Sequence, residues 1–163
     1  MSNENECDIC KMPHNEKSIE LLKKLKVDGV GMGVELADEK FREDELNRFA
    51  NQEKTLSAFK LLKINGIKRT AYNIIGLPNQ NEDSILKTIE FNKLLDPDNI
   101  TVAFYSPFYG TKQQVEGKEL GIFDDYEFDV DSALRSKSKD TLLPVNKLKY
   151  YKEKFVDLVR SDT

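Results

Sequence analysis

Three short segments carry residue types that bind ligands, and each closes a run that reads as a β-strand. Glu35 ends Val30-Gly31-Met32-Gly33-Val34. Gly76-Leu77-Pro78-Asn79-Gln80 follows the apolar run 67–75, and Ser106-Pro107-Phe108-Tyr109-Gly110-Thr111 follows Ile100-Thr101-Val102-Ala103-Phe104-Tyr105. In parallel α/β arrangements ligands sit at the carboxyl ends of strands, on the loops that follow. Glycines such as Gly76 and Gly110 let backbone approach a ligand closely. Arg48 and Asn73 lie near the first and second of these strand ends in sequence.

Each of these residues also has a plainer reading. Glu35 fits an ordinary solvated carboxylate or the partner of a nearby lysine. Arg48 fits a surface pair with Glu45 or Asp44, and Asn73 fits a residue that satisfies loop backbone. His14, the sole histidine, stands in no metal or triad pattern. Cys7 and Cys10 are too close in sequence to clamp much of a fold.

The elements that must position these groups follow from periodicity and punctuation. Asn15 caps a helix over 16–26 with Ile19, Leu22 and Leu25/Lys26 at helical spacing. Asp28-Gly29 leads into the first strand. Residues 36–50 are charged and read as a loop with a short helix. Asn51 caps a second helix with Leu56, Ala58, Phe59, Leu61 and Leu62 as its apolar face, stopped by Asn65-Gly66. Asn81 caps a third, with Glu82 and Asp83 in the dipole-favoured first turn and Ile85, Leu86, Ile89, Leu94 and Leu95 as its buried side.

The order α–β–α–β–α–β requires crossovers, so the sheet is expected to be parallel. Three strands cannot close a barrel, which leaves one sheet face open. Residues 108–144 read as irregular, with an acidic, aromatic stretch at 124–129. A final helix over 145–160 follows Pro144, with Leu148, Tyr151, Phe155 and Leu158 on one side. The fold class is α/β, a partial (β/α) barrel over 1–111 with an extension over 112–163 that packs on it.

The net charge of -4, from 25 basic and 29 acidic residues, gives no electrostatic reason to expect nucleic acid or membrane as partner. No apolar run approaches the ~20 residues of a membrane span, and the polar first twenty residues resemble no secretory leader. The expected location is cytoplasmic. No glycine-rich phosphate loop or nucleophile elbow is present.

The strand-end segments, taken in order, resemble the radical S-adenosylmethionine (radical SAM) family. Met32-Gly33-Val34-Glu35 is similar to the Gly-Ile-Glu end of that family's fourth barrel strand, and Glu45-Leu46-Asn47-Arg48 to the Leu-Asn-Arg segment downstream. Asn73-Ile74-Ile75-Gly76-Leu77-Pro78 resembles the fifth-strand Ile-x-Gly-x-Pro motif. Ser106-Pro107-Phe108-Tyr109-Gly110-Thr111 resembles the Pro-x-Pro-Gly-Thr end of the sixth. The resemblance runs from about residue 15 to about 111.

The resemblance implies that Glu35 contacts the ribose or amino acid part of S-adenosylmethionine and that Arg48 reaches its carboxylate. It implies that Asn73 points into the cofactor site and that Ile75, Gly76 and Pro78 frame the adenine. A complete domain of the family carries S-adenosylmethionine and a 4Fe–4S cluster, and generates a 5′-deoxyadenosyl radical.

This sequence departs from the family where the cluster is held, because it has no Cys-x-x-x-Cys-x-x-Cys loop. Cys7-Asp8-Ile9-Cys10 matches the spacing of the last two cysteines, with Asn3 where the first would stand. It lies one helix before the strand read as the fourth, so it is read as coincidence and not as a cluster remnant. Tyr72 replaces the first Gly of the fifth-strand motif, Gln80 replaces a frequent Glu, and Tyr109 replaces one Pro of the sixth. The expected function is therefore a partial radical SAM protein that supplies S-adenosylmethionine-binding surface and is not catalytic alone. It would be a gene fragment, a split subunit or a truncation, with a chain carrying the N-terminal half of the domain as partner. The alternative is a non-catalytic α/β binding or interaction module derived from such a domain.

Overall fold

Side-chain caps and left-handed stops divide the chain into alternating helices and strands. The elements run α1 (Glu16–Lys24), β1 (Gly29–Glu35), α2 (Glu39–Leu46), α3 (Gln52–Ile64), β2 (Lys68–Ile75), α4 (Glu82–Leu95), β3 (Asn99–Phe104), α5 (Lys112–Glu119) and α6 (Val145–Arg160). The computed structural model describes residues 16–106, 110–119, 121 and 141–161. Cys7, Cys10, His14, Pro107 and the stretch 124–129 lie outside the described residues. Asp38, Asn51 and Asn81 start α2, α3 and α4, each accepting a backbone N–H three residues on. Such a cap satisfies a donor that the first helical turn would leave orphaned.

The strands form one parallel sheet in the order β1-β2-β3. Gly29 pairs with Lys68 and Gly33 with Tyr72, while Thr70 pairs with Asn99 and Ile75 with Phe104. Side chains alternate across this sheet. Val30, Met32, Val34 and Ala71 join Ala58, Phe59, Leu62, Phe91 and Leu95 in one core cluster. Ile75, Ile100, Val102 and Phe104 join Ile85, Ile89, Leu148 and Phe155 in a second. The helices thus cover one face. Each fully buried Phe or Leu there contributes about 1.5–3 kcal/mol relative to exposure.

The opposite face carries Gly31 and Gly33 from β1, Thr70, Tyr72 and Ile74 from β2, and Thr101 and Ala103 from β3. Tyr72 and Thr101 are exposed on it. This face is only partly open: Ile74 at its carboxyl end is buried in a cluster with Phe41 and Leu46 of α2.

The last helix belongs to the same layer. Lys147 and Tyr151 of α6 both donate to Glu82 at the start of α4, each at 2.5 Å. Arg160 at its end donates to Pro97 O, just past the end of α4. The two helices therefore run side by side in the same direction, and α6 also packs against β3.

Three expectations need correction. Leu86 and Leu94 are exposed, not buried, because Ile85, Thr88, Ile89, Asn92 and Leu95 take the inward stripe of α4. Leu25 is exposed for the same kind of reason, lying past the end of α1. Within the stretch read as irregular, residues 112–119 form α5. Among the described residues no helix is long and apolar enough to cross a membrane.

Candidate functional site

The carboxyl ends of the three strands are drawn together by an apolar cluster of residues at and just past them. Leu36 follows β1, Leu77 follows β2 and Tyr105 follows β3. These three pack with Ile74, Phe41 and Leu46. The strand ends are thereby fixed side by side, and the polar residues next to each must share one rim.

Glu35 stands at the first end. The pairing register slips between Gly33 and Glu35, so that Val34 is an extra residue opposite β2. Such a bulge re-aims the side chain that follows it. Glu35 adopts φ 60, unusual for a residue with a side chain. A Cβ placed on Gly33 would lie 2.7 Å from Glu35 Oε1. The carboxylate is therefore folded back over Gly33, on the open face. The same strand has a second vacancy of this kind: a Cβ on Gly31 would collide with the Tyr72 ring. Glycine at 31 and 33 is what lets a phenol and a carboxylate lie against the sheet.

The second end is a tight reversal. Gly76 has φ 86 and is buried with Leu77 and Pro78. Its N–H donates to Gln80 Oε1 at 2.7 Å. The carbonyl of Ile75 accepts from Tyr105 N–H at 2.7 Å, tying the second strand end to the third. The side chain of Ile75 goes to the helix-side core, so Ile75 can reach a ligand only through its backbone.

Arg48 is half-buried, just after the left-handed cap Asn47 of α2. Asn79 donates to Glu45 Oε1 at 3.1 Å, which brings this end of α2 against the Gly76 loop. The structure thus gathers Glu35, Ile75, Gly76 and Pro78 along the rim, with the Arg48 segment beside them.

Asn73 does not join them. It was expected to point into the cofactor site, and its side chain points the other way, into the helix layer. Asn73 Oδ1 accepts from Asn92 Nδ2 at 2.8 Å, and its Nδ2 donates to Asn92 Oδ1 at 3.2 Å. Asn73 is 1% exposed. A buried amide must find partners, and α4 supplies them. A polar stripe at helical spacing, Ser84, Thr88 and Asn92, marks that face of α4. Thr88 Oγ1 also accepts the N–H of Ala37 beyond β1 at 3.0 Å.

Sequence reasoning also passed over Arg42. It is 2% exposed, and its guanidinium donates to Leu36 O at 2.6 Å and to Ala50 O. It clamps the two chain segments that flank α2. No short-range pattern marks it, because charged residues surround it in sequence.

Three ionisable groups with displaced affinities belong to the sheet's amino end and the helix layer. Asp98 is held below the usual aspartate range by its hydrogen bond from Arg69, at the amino end of the sheet. Asp96 is lowered by its hydrogen bond from Lys63. Burial, helped by the hydrogen bond to Glu82, pushes Tyr151 up to about 12. A groove of about 670 Å³ runs past Ala37, Asp38, Gln52, Leu86, Phe91 and Leu94. Its lining comes from α2, the start of α3 and α4, whereas the Glu35 carboxylate lies over Gly33 on the other face of the sheet.

Three parallel βα units, with a carboxylate and a left-handed glycine-proline turn at neighbouring strand ends, define a partial α/β barrel. The radical SAM superfamily model matches residues 4–91, more than half of the chain, and the chain belongs to that superfamily. It is 30% identical over 111 residues to the anaerobic magnesium-protoporphyrin IX monomethyl ester cyclase of Rubrivivax gelatinosus. That alignment covers 68% of this chain and 20% of that enzyme.

The superfamily implies S-adenosylmethionine and a 4Fe–4S cluster in a complete domain. The rim has a donor set suited to the first: a carboxylate laid on the sheet, a strand-end backbone and an arginine nearby. The second does not fit this chain by itself. Two cysteines in the sequence fall short of three thiolates, and among the described residues no three His, Cys, Asp or Glu side chains converge.

Proposed function

We propose that this chain supplies the S-adenosylmethionine-binding rim of a radical SAM enzyme and that other residues, on a chain carrying the N-terminal half of the domain, supply the cluster. The observation that carries the reading is the carboxylate of Glu35 laid over Gly33 on the open face, one strand away from the left-handed Gly76. When bound next to a cluster, S-adenosylmethionine supplies the radical chemistry of the superfamily.

This chain's part is to bind and orient. Glu35 accepts hydrogen bonds from ribose hydroxyls or the ammonium group. Arg48 pairs with the ligand carboxylate. The backbone of Ile75 and Gly76, with Pro78, frames the adenine. The side chain of Asn73 has no part in it, being committed to Asn92. Among the described residues the outer edge of β1 is unpaired, and it fits a preceding strand of the complete barrel, since an unpaired strand edge is a template for pairing.

The test pairs two measurements on the purified chain. Calorimetric titration with S-adenosylmethionine is expected to show saturable binding. Anaerobic iron–sulfide reconstitution followed by electron paramagnetic resonance is expected to show no stoichiometric cluster. A cluster with full iron content on this chain alone overturns the division of labour. No binding overturns the rim itself and favours a non-catalytic interaction module.

A further inference from the structure

Two strand ends of this sheet share one device. Gly76 and Gly110 both adopt left-handed backbone, at φ 86 and φ 79. In each case a glutamine four residues on turns its side-chain oxygen back to the glycine N–H. Gln80 Oε1 accepts from Gly76 at 2.7 Å, and Gln114 Oε1 accepts from Gly110 at 3.3 Å. Both glutamines are buried, at 1% and 7% exposure. The pattern Gly-x-x-x-Gln therefore occurs twice, directly after β2 with a buried glycine and six residues past β3 with an exposed one.

A helix cap explains only part of this. Thr111-Lys112-Gln113-Gln114 has the spacing of a capping box, and Gln114 N–H donates to Thr111 Oγ1 at 3.4 Å. In a capping box the glutamine returns to the cap residue's own N–H. Here it returns one residue earlier, to Gly110. Gln80 is not in a helix at all, since Asn81 caps α4. What the two share is the glycine they hold and not a place in a helix.

The physical need is clear at Gly76. The residue is buried, so its N–H must have a partner or weaken the fold. Gln80 provides that partner and also donates through Nε2 toward Ser84 Oγ at 3.5 Å. Its backbone N–H donates to Leu77 O at 3.0 Å, closing the turn. The loop shape is thus set by an internal acceptor, and a ligand meets a rim already folded. Preformed sites bind more tightly because no ordering cost falls on binding.

We propose that Gln80 and Gln114 are positioning residues, each holding a left-handed glycine that follows a strand in the shape that receives the adenosyl ligand. This rests on the assignment of the rim to S-adenosylmethionine. Neither side chain touches the ligand in this scheme. Each acts through the glycine it holds.

The experiment combines calorimetric titration of the whole chain with S-adenosylmethionine and amide hydrogen exchange. Gln80→Ala is expected to weaken binding about tenfold and to speed exchange at the Gly76 amide. Gln80→Glu keeps an acceptor oxygen and is expected to return binding to within about threefold of wild type, with Gly76 again protected. Gln114→Ala is expected to speed exchange at Gly110 and to weaken binding in the same direction. Should Gln80→Ala unfold, the Gln114→Ala arm decides. Wild-type binding that survives both alanine variants undiminished overturns this inference and leaves the rim assignment standing. Lost binding that Gln80→Glu does not restore also overturns it. A wild-type chain that does not bind removes the rim assignment, and this inference with it.

Discussion

The carboxylate of Glu35 rests on Gly33, its own neighbour two residues back, so that a Cβ at position 33 would come within 2.7 Å of Oε1. Gly33→Ala is expected to push the carboxylate aside. The clash is with the far end of a flexible side chain, so stability is expected to change little while S-adenosylmethionine affinity falls several-fold. Glu35→Gly makes the opposite trade. Left-handed backbone costs a non-glycine residue about 1–2 kcal/mol, so this variant is expected to melt about 2–4 °C higher for each kcal/mol relieved and to lose binding. Paired thermal melts and titrations check both.

The Asn73–Asn92 pair is expected to act on stability through the helix layer. Asn73→Ala leaves the Asn92 amide buried with one partner fewer, at a cost of about 1–3 kcal/mol. Replacing both residues by Leu removes the orphaned group, and the double variant is expected to recover part of the loss. Urea unfolding of Asn73→Leu, Asn92→Leu and the double variant measures the coupling. Binding by the folded double variant is expected to stay near wild type, because neither side chain faces the ligand.

Asp98 gives the fold an acid limit at its amino end. The Arg69 hydrogen bond holds its folded affinity for protons below that of the unfolded chain. A group lowered in this way stabilises the fold at neutral pH, and that contribution is lost as pH falls through the folded value, below about pH 4. Asp98→Asn is expected to melt lower than wild type at pH 7 and to show a shallower decline on acidification. Melting curves between pH 3 and 7 test it, with convergence of the two proteins at the acid end as the expected pattern.

Much of this architecture was legible because local signals agreed. Asn51 and Asn81 both cap helices where their positions suggested, and Gly66 follows the end of α3. The three strands are parallel and adjacent, as helices between them demanded. The phase of β2 was not legible. Ala71, Asn73, Ile74 and Ile75 are all buried, so a period of two leaves no visible polar side. Asn73 looked like the residue for the open face, yet Tyr72 takes that face, where Gly31, two residues before its register partner Gly33, leaves room for its ring. Only the long-range partner Asn92 decides the matter, and nothing near Asn73 in sequence reveals it. The glutamine braces were hidden for a related reason: an i to i+4 contact across a loop has no periodic signature.

The location of the ligand is the most direct test of the rim. In a nitrogen-15 correlation spectrum of the chain titrated with S-adenosylmethionine, the expected shifts fall on the amides of Gly33, Glu35, Leu36, Gly76 and Leu77, while those of Leu86, Lys87 and Leu94 stay fixed. Shifts concentrated along the outer groove by Leu86 and Leu94, with the strand ends unmoved, contradict it.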